Sequence, residues 1–424
     1  MQDRQSPSHA QLAAVFGKVG LLSFGGPAAQ IAMMHRFLVD ETGWLSERQY
    51  VSALSFCMLL PGPEAMQIAT YAGWKLRGVI GGLIAGLLFI LPGAVIVLAL
   101  ASLYAIFGTM AEVQSAFLGI KAAVLVIVID ALRKVALRAL HSPSHYMIAG
   151  FGFVGLFFFA LPFPLVLLIA ALYGFFCLTR KELQSEAPVL AQGLAAKTGL
   201  TILIWLVIWA APVCVIALIM GNGLYIEIAR FFSKLAVVTF GGAYAVLAYM
   251  SQDVVSQSGW LTAGEMIDGL GLAETTPGPL ILVTEFVGFL AAFKMGGFWS
   301  GALGAFITLW VTFVPCFLWI FSGAPYIDWI SSQARLSNAL SAITAAVVGV
   351  MLNLSLWFGL HTLFSEVSQV DYHLFLLWLP ELSRFEWRVA VLAMASAVLI
   401  LRLRWGMLRV LGLSGICGFG LGLI

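Results

Sequence analysis

The sequence predicts an all-α integral membrane protein of two homologous halves, with helices that are broken or re-entrant at glycine and proline motifs. An apolar composition, an internal repeat and paired interruptions of the apolar segments support this prediction. Of the 424 residues, 61% are hydrophobic and 10% are charged, whereas soluble domains are about 25% charged. Residues 79–107 contain no charged side chain, and about 20 apolar residues cross a bilayer as a helix.

Apolar segments recur along the whole chain and predict about ten to thirteen crossings. They lie near residues 12–34, 52–73, 78–107, 113–131, 146–160, 164–178, 198–220, 224–250, 266–292, 296–322, 339–364, 388–403 and 408–424. We expect residues 146–178 to form a helical hairpin turned at 161–164. The apolar stretch 373–380 is too short to cross, and the mixed charges of 365–386 indicate an ordinary loop.

An internal repeat organises the chain. Residues 16–63 align with 232–279 without a gap, and 16 of the 48 positions are identical. The identical motifs are Phe-Gly-Gly at 24–26 and 240–242, Gly-Trp-Leu at 43–45 and 259–261, and Pro-Gly-Pro at 61–63 and 277–279. We therefore predict two homologous domains, residues 1–185 and 195–424, joined by the polar linker 180–188.

The loop charges indicate that the two halves have opposite orientations in the membrane. The first-half loops 35–50 and 131–145 carry Lys and Arg residues, whereas the positions aligned with those residues in the second half carry none. Because cytoplasmic loops collect Lys and Arg, the halves are expected to be inverted-topology repeats. The additional segment 198–220 supplies the odd crossing that inversion requires.

The interruptions predict an anion-binding site. Unpaired backbone groups in hydrocarbon cost several kcal/mol each, so a break is tolerated only where protein or a water-filled cavity covers it. Secondary transporters direct such broken helix ends at their substrate, and helix N-termini favour anions. Pro27 and Pro63 suit first helical positions. The expected binding residues are Gly25, Gly26, Pro27, Ala28, Gln30, Pro61, Gly62, Pro63, Glu64, Gln67, Gly241, Gly242, Pro277, Gly278 and Pro279. The alternative is that these motifs are only helix kinks or close-packing positions.

Charged residues in apolar surroundings extend the expected site. Lys18 and Lys234 occupy equivalent positions, and they either contact the substrate or snorkel to the interface. Lys121 lies near the middle of an apolar segment, where snorkelling is difficult, and it is expected to be functional. Three carboxylates are candidates for proton coupling: Glu64, Glu274 and Glu285. For Glu64 the alternative is compensation of the helix dipole.

Other functional classes lack support in the sequence. There is no phosphate-binding loop of the G-x-x-x-x-G-K-[ST] type and no long basic run that would indicate a nucleic-acid partner. The five cysteines are far apart, and the six histidines do not cluster. We therefore expect no metal site, no cofactor and no enzymatic activity, and a membrane-embedded redox enzyme is disfavoured.

The repeated motifs resemble those of the chromate ion transporter family in its long, two-domain form. The resemblance rests on FGKVGLLSFGGP at 16–27, PGPEAMQIA at 61–69, FSKLAVVTFGGA at 232–243 and TPGP at 276–279. It implies a multi-pass protein of the bacterial inner membrane that moves chromate, commonly outward, and so confers resistance. The second copy departs from the first, with Ala243 in place of Pro27 and Val283 in place of Gln67.

Alternative functions remain open on the sequence alone. A sulfate-like dianion has the charge and shape of chromate, so sulfate or oxyanion uptake or exchange is one alternative. An anion channel is another, since the same helix ends could serve it. The expected partners are the dianion, the lipid bilayer and a second copy in a homodimer.

Overall fold

The structure, a computed structural model, describes residues 7–178, 194–240, 243–372 and 375–422, which are mostly helical. The helices are α1 (His9–Leu22), α2 (Gly26–His35), α3 (Glu47–Cys57), α4 (Glu64–Phe107), α5 (Ala111–Ala139), α6 (Pro143–Phe157), α7 (Phe163–Cys177), α8 (Leu194–Met220), α9 (Leu224–Val238), α10 (Ala243–Gln252), α11 (Ala263–Thr275), α12 (Val283–Gly323), α13 (Ile327–Ser332), α14 (Ala334–Leu363), α15 (Trp387–Ala397) and α16 (Met407–Gly422). In these ranges α4, α5, α8, α12 and α14 are long and apolar enough to cross a membrane. The predicted class of helical membrane protein is confirmed.

The polar connection 365–386 is not the ordinary loop that its charges indicated. It contains an antiparallel hairpin of β1 (Val367–Tyr372) and β2 (Phe375–Pro380), in which Val367 pairs with Pro380 and Tyr372 with Phe375. Aromatic residues favour strands, and this hairpin contains Tyr372, Phe375 and Trp378. Because 373–380 is too short to cross a membrane, its length alone did not indicate a strand.

The repeat is visible in how equivalent helices begin. Ser46 and Gln49 form a capping box at the start of α3, in which each side chain bonds the backbone of the other residue. Thr262 and Glu265 form the same exchange at the start of α11. The two starts are 216 positions apart, so the alignment holds at the level of individual hydrogen bonds.

Helices α4 and α12 each reverse at a tight bend. Arg77 and Gly78 have φ/ψ of −142°/27° and 63°/−157°, while Gly296 and Gly297 have −152°/22° and 72°/−157°. The nearly identical angles show that the two bends are equivalent. The positive φ explains the glycine at the second position of each bend. Each long helix is therefore a short helix followed by a long one that folds back on it.

Glycines let the two arms of each reversed helix touch. A Cβ added at Gly73 would collide with the carbonyl oxygen of Gly81, and one added at Gly304 would collide with that of Gly288. Eight residues span about 12 Å along a straight helix, so the contact between Gly73 and Gly81 requires the reversal.

The chain divides into two compact units, and each takes segments from both halves of the sequence. The first unit comprises Met1–Ala99, Thr179–Ala243 and Thr276–Ser337, and the second comprises Leu100–Leu178, Tyr244–Thr275 and Asn338–Ile424. In the first unit α12 packs against α8 and α9; in the second unit α5 packs against α11, α15 and α16. The expected hairpin at 146–178 is present as α6 and α7, which pack together.

Neither compact unit coincides with one half of the sequence. The predicted domains 1–185 and 195–424 therefore describe the repeat and stay a prediction. The proposed linker 180–188 lies outside the described residues.

Replacing Gly73 or Gly288 by Ala is expected to destabilise the protein by about 1–3 kcal/mol, because the new methyl group must push two packed helices apart. The measurement is thermal unfolding of each purified variant in detergent. Gly150→Ala is the matched control, since a Cβ there meets no heavy atom within 4 Å. An unfolding temperature of either test variant equal to that of Gly150→Ala would contradict the packing argument.

Candidate functional site

The first Phe-Gly-Gly motif interrupts the chain between α1 and α2. Gly25 and Gly26 have φ of 91° and 77°, a backbone region that glycine adopts without strain. Pro27 lies in the first turn of α2, and no side chain caps that helix. The preceding Ser23 is fully buried, and its hydroxyl donates to the carbonyl of Val19 at 2.6 Å.

The second Phe-Gly-Gly motif is preceded by the same local structure. Thr239 is buried and donates its hydroxyl to the carbonyl of Leu235, four residues back as in the first copy. Phe240 N donates to Val238 O, and its equivalent Phe24 N donates to Leu22 O. Gly241 and Gly242 lie outside the described residues, and α10 begins directly after them.

The two Pro-Gly-Pro motifs are buried turns with positive φ at their glycines, 121° at Gly62 and 95° at Gly278. The first leads directly into α4 at Glu64, as expected. After the second, a 3₁₀ turn at Leu280–Leu282 begins directly after Pro279 and continues into α12. In the first copy Gln67 Nε2 donates to the Pro61 carbonyl at 2.7 Å. Val283, at the equivalent position, has no donor for this role.

The interruptions of the two halves bond to each other within the first unit. Gly278 N donates to Ser23 O at 2.9 Å, and Gly62 N donates to Thr239 O at 2.8 Å. Ser23 corresponds to Thr239 and Gly62 to Gly278 in the repeat, so the two bonds are a reciprocal exchange. We call these two contacts the break junctions. A reciprocal exchange is the pattern that two copies related by a two-fold axis produce.

The break junctions occupy two backbone amides of the Pro-Gly-Pro turns. The free N–H groups predicted from the sequence lie at the helix starts after the interruptions, at residues 28–30 and 64–66, and they stay a prediction. The Gly62 and Gly278 amides, in the turns before α4 and α12, each have a carbonyl partner, because the breaks of opposite halves satisfy one another. Buried backbone groups without partners would cost several kcal/mol. This cost explains why the interruption at each Phe-Gly-Gly motif pairs with the Pro-Gly-Pro turn of the other half.

Each break junction carries one buried glutamine. Gln30 Nε2 donates to Gly278 O at 2.6 Å and to Ser23 O at 3.3 Å. Gln67 serves the other junction, and its Oε1 is buried without a hydrogen-bond partner. A Cβ added at Gly62 would lie 2.9 Å from Gln67 Nε2 and from Cys316 Sγ. The glutamines therefore hold the two junctions in different ways.

The expected site residues differ in exposure. Gly26, Gln30 and both Pro-Gly-Pro motifs are buried, Pro27 and Glu64 are half-buried, and Gly25 and Ala28 are exposed. Ala28 therefore does not face the buried junction that Gln30 enters. Glu285, in the first turn of α12, is 1% exposed, and its Oε2 has no hydrogen-bond partner.

The structure places the two equivalent lysines on the exposed surface. Lys18 and Lys234 are both exposed, and Lys18 Nζ lies 5.0 Å from the ring centre of Phe37. This placement favours the snorkelling alternative over substrate contact, because the ammonium groups of long side chains reach outward from the buried face of the helix.

Other charged candidates lie in the second unit, with partners that the sequence did not reveal. Lys121 Nζ is 3.1 Å from Asp268 Oδ1, and Tyr104 donates to Asp268 Oδ2 at 2.7 Å. The charge of Lys121 is therefore compensated within the protein. Glu274 accepts a hydrogen bond from the Tyr244 hydroxyl at 3.1 Å.

Sequence reasoning missed Asp268, Tyr104, Ser23 and Thr239. The available signal for Asp268 was a carboxylate inside the apolar segment 266–292, which could pair with Lys121 in the segment 113–131. Ser23 and Thr239 gave no comparable signal, because they act through backbone carbonyls.

Comparison with known proteins assigns the chain to a family. The family model described as chromate transporter matches residues 10–175 and 226–419. The chain is 33% identical to a chromate transport protein of Pseudomonas aeruginosa over 352 residues, which cover 81% of this chain and 79% of the relative.

More distant relatives agree with this assignment. A chromate transport protein of Cupriavidus metallidurans is 28% identical over 360 residues, covering 80% of each chain. An uncharacterized transporter of Methanocaldococcus jannaschii is 26% identical over 367 residues, covering 85% of this chain and 87% of the relative. No solved structure matches the chain. The matches extend over both repeats, and the chain therefore belongs to the chromate transporter family.

Proposed function

We propose that the protein is a secondary transporter that moves chromate outward across the bacterial inner membrane and thereby confers chromate resistance. Membership of the chromate transporter family supports an oxyanion substrate. The observation that carries the proposal is the pair of break junctions, in which the interruptions of both repeats meet inside one unit.

In the proposed binding step, the oxygens of chromate replace backbone carbonyls as hydrogen-bond acceptors of the Gly62 and Gly278 amides. In the structure the Gly62 and Gly278 amides donate to carbonyls, each of which carries only a partial negative charge. A bound dianion offers stronger, charge-assisted acceptors to the same N–H groups, next to the start of α4 and close to that of α12. Chromate would replace the Ser23 and Thr239 carbonyls and so open the junctions.

Membrane potential is sufficient to drive the proposed direction. Moving one charge across 100 mV is worth about 2.3 kcal/mol, so a dianion gains about 4.6 kcal/mol on leaving a cell whose interior is negative. Within this proposal Glu64 and Glu285 of the first unit, and Glu274 of the second, remain the candidates for proton coupling. The unpartnered Oε2 of buried Glu285 supports its place in this set.

Sulfate uptake or exchange is the alternative transport function, because backbone N–H donors discriminate weakly between tetrahedral dianions. An anion channel is a second alternative, supported by the same helix ends. Competition by sulfate against chromate flux addresses the first alternative, and saturation of the flux with chromate concentration addresses the second.

Replacing Gly62 or Gly278 by Ala is expected to reduce chromate flux in proteoliposomes at least about tenfold. A side chain at these positive φ values costs about 1–3 kcal/mol and displaces the amide that the dianion would bind. Gly17→Ala in α1 is the control, because a Cβ there meets no heavy atom within 4 Å. The proposal fails if both junction variants fold and transport chromate at the rate of Gly17→Ala.

Imposed potassium-diffusion potentials are expected to set the direction of chromate movement. An inside-negative potential should accelerate release of chromate from loaded vesicles, and an inside-positive potential should slow it, both without a pH gradient. The readout is chromate remaining in the vesicles over time. A rate of chromate release that is independent of the membrane potential and requires an imposed pH gradient would contradict potential-driven efflux.

A further inference from the structure

The second unit contains a buried ion pair that the proposed binding step does not use. Lys121 on α5 and Asp268 on α11 form this pair, with Tyr104 at the end of α4 as the second partner of the carboxylate. The Asp268 side chain is 1% exposed, whereas that of Lys121 is 20% exposed. The lysine therefore lies on the accessible side of the pair and the carboxylate on the closed side.

The two carboxylate oxygens are satisfied unequally. Oδ2 accepts the Tyr104 hydroxyl at 2.7 Å. Oδ1 faces the Lys121 ammonium at 3.1 Å but is buried without any hydrogen bond of good geometry. An ionised carboxylate has about four acceptor sites, so Oδ1 retains free lone pairs in a buried position.

The repeat shows that the fold does not require this pair. Lys121 corresponds to Thr344 of α14 at the shift of 223, and Asp268 corresponds to Ser52 of α3 at the shift of 216. The same helices thus form in the other copy with small hydroxyl side chains. The ion pair is therefore expected to have a function other than forming the helices.

Energetics also argue against a purely structural role. Replacing a buried ion pair by apolar residues is often neutral or stabilising, because desolvation of the charges offsets their attraction. Ionisable residues within membrane segments mark ion and proton pathways. The Lys121–Asp268 pair is buried, so its contribution to stability is expected to be small. It also lies within an apolar helical unit, where ionisable residues commonly serve ion or proton transport.

We infer that Asp268 is a proton-binding site of the transporter and that the Lys121–Asp268 ion pair opens when the proton binds. A hydronium ion transfers its proton to Asp268 Oδ1 and leaves as water. The product is a neutral carboxylic acid beside an unpaired Lys121 ammonium, so the net charge of the site rises from zero to plus one. The charged and titratable groups facing Asp268 are Lys121 from α5, Tyr104 from α4 and Glu265 on α11 itself.

The position of Asp268 along the chain gives its protonation a consequence for transport. Helix α11 ends at Thr275, and the Pro277-Gly278-Pro279 turn follows. Only Thr276 and Pro277 separate the end of α11 from Gly278 along the chain. This inference rests on the proposed transport function, with the proton as a second ligand.

The test compares Asp268→Asn, the charge-neutral pair Lys121→Met with Asp268→Leu, and the control Glu265→Gln. Asparagine imitates the protonated carboxyl, and the double variant removes the pair without leaving a lone buried charge. Initial chromate flux is measured in proteoliposomes from about pH 5 to pH 8, the range in which proteins tend to be most stable. Because chromate itself takes up a proton, variants are compared at the same pH.

Wild type and Glu265→Gln should both keep a pH-dependent part of the flux profile that changes by up to about tenfold per pH unit, as one proton-binding group requires. We call this part the limb. In Glu265→Gln the limb should move to lower pH, because the variant removes a negative charge that faces Asp268. Asp268→Asn and the double variant should lose that limb. Retention of the wild-type limb by either Asp268 variant overturns the inference. If one of them fails to fold, the other decides.

A readout independent of transport separates this inference from the proposed function. Infrared difference spectra between acidic and alkaline pH should contain a protonated-carboxyl band that disappears in both Asp268 variants and persists in Glu265→Gln. An unchanged band in the Asp268 variants refutes the proton site. If wild type shows no chromate flux, the proposed function fails, and the infrared titration still decides the inference.

Discussion

The requirement that backbone groups be paired inside hydrocarbon governs this structure. Each repeat breaks two helices with glycine and proline motifs, and each break frees amides and carbonyls that the bilayer cannot satisfy. The protein resolves the problem by pairing unlike breaks of opposite repeats, Ser23 with Gly278 and Thr239 with Gly62. The same pairing creates polar junctions inside an otherwise apolar unit.

Much of the fold could be predicted from the sequence, because its determinants are local. The Gly-Gly and Pro-Gly-Pro interruptions, the first-turn proline of α2 and the shared punctuation of the repeats are all visible in residue types. The reversals at Gly78 and Gly297 were read only as boundaries between segments, since single glycines do not specify how far a chain turns. The strand pair after α14 was missed because a short apolar stretch was judged by membrane length alone.

The site was predicted less completely, for a physical reason. The break junctions pair Gly62 with Thr239 and Ser23 with Gly278, residues 177 and 255 positions apart, and they use main-chain atoms, which residue type does not reveal. The sequence thus indicated Gly62 and Gly278 but not their carbonyl partners. Likewise, Lys121 was recognised as unusual, yet its compensation by Asp268 became apparent only when α5 and α11 were seen together. For Lys18 and Lys234 the sequence left substrate contact and snorkelling open, and the structure shows both side chains exposed.

The central claim is that an oxyanion takes the place of the break-junction carbonyls. Its most direct measurement is the position of chromium in the chromate-loaded protein, located by anomalous scattering at the chromium edge. The account predicts a chromium peak whose surrounding oxygens lie within about 3 Å of the Gly62 or Gly278 amide nitrogen, with the corresponding junction bond opened. Chromium bound elsewhere, with both junctions still closed, would contradict it.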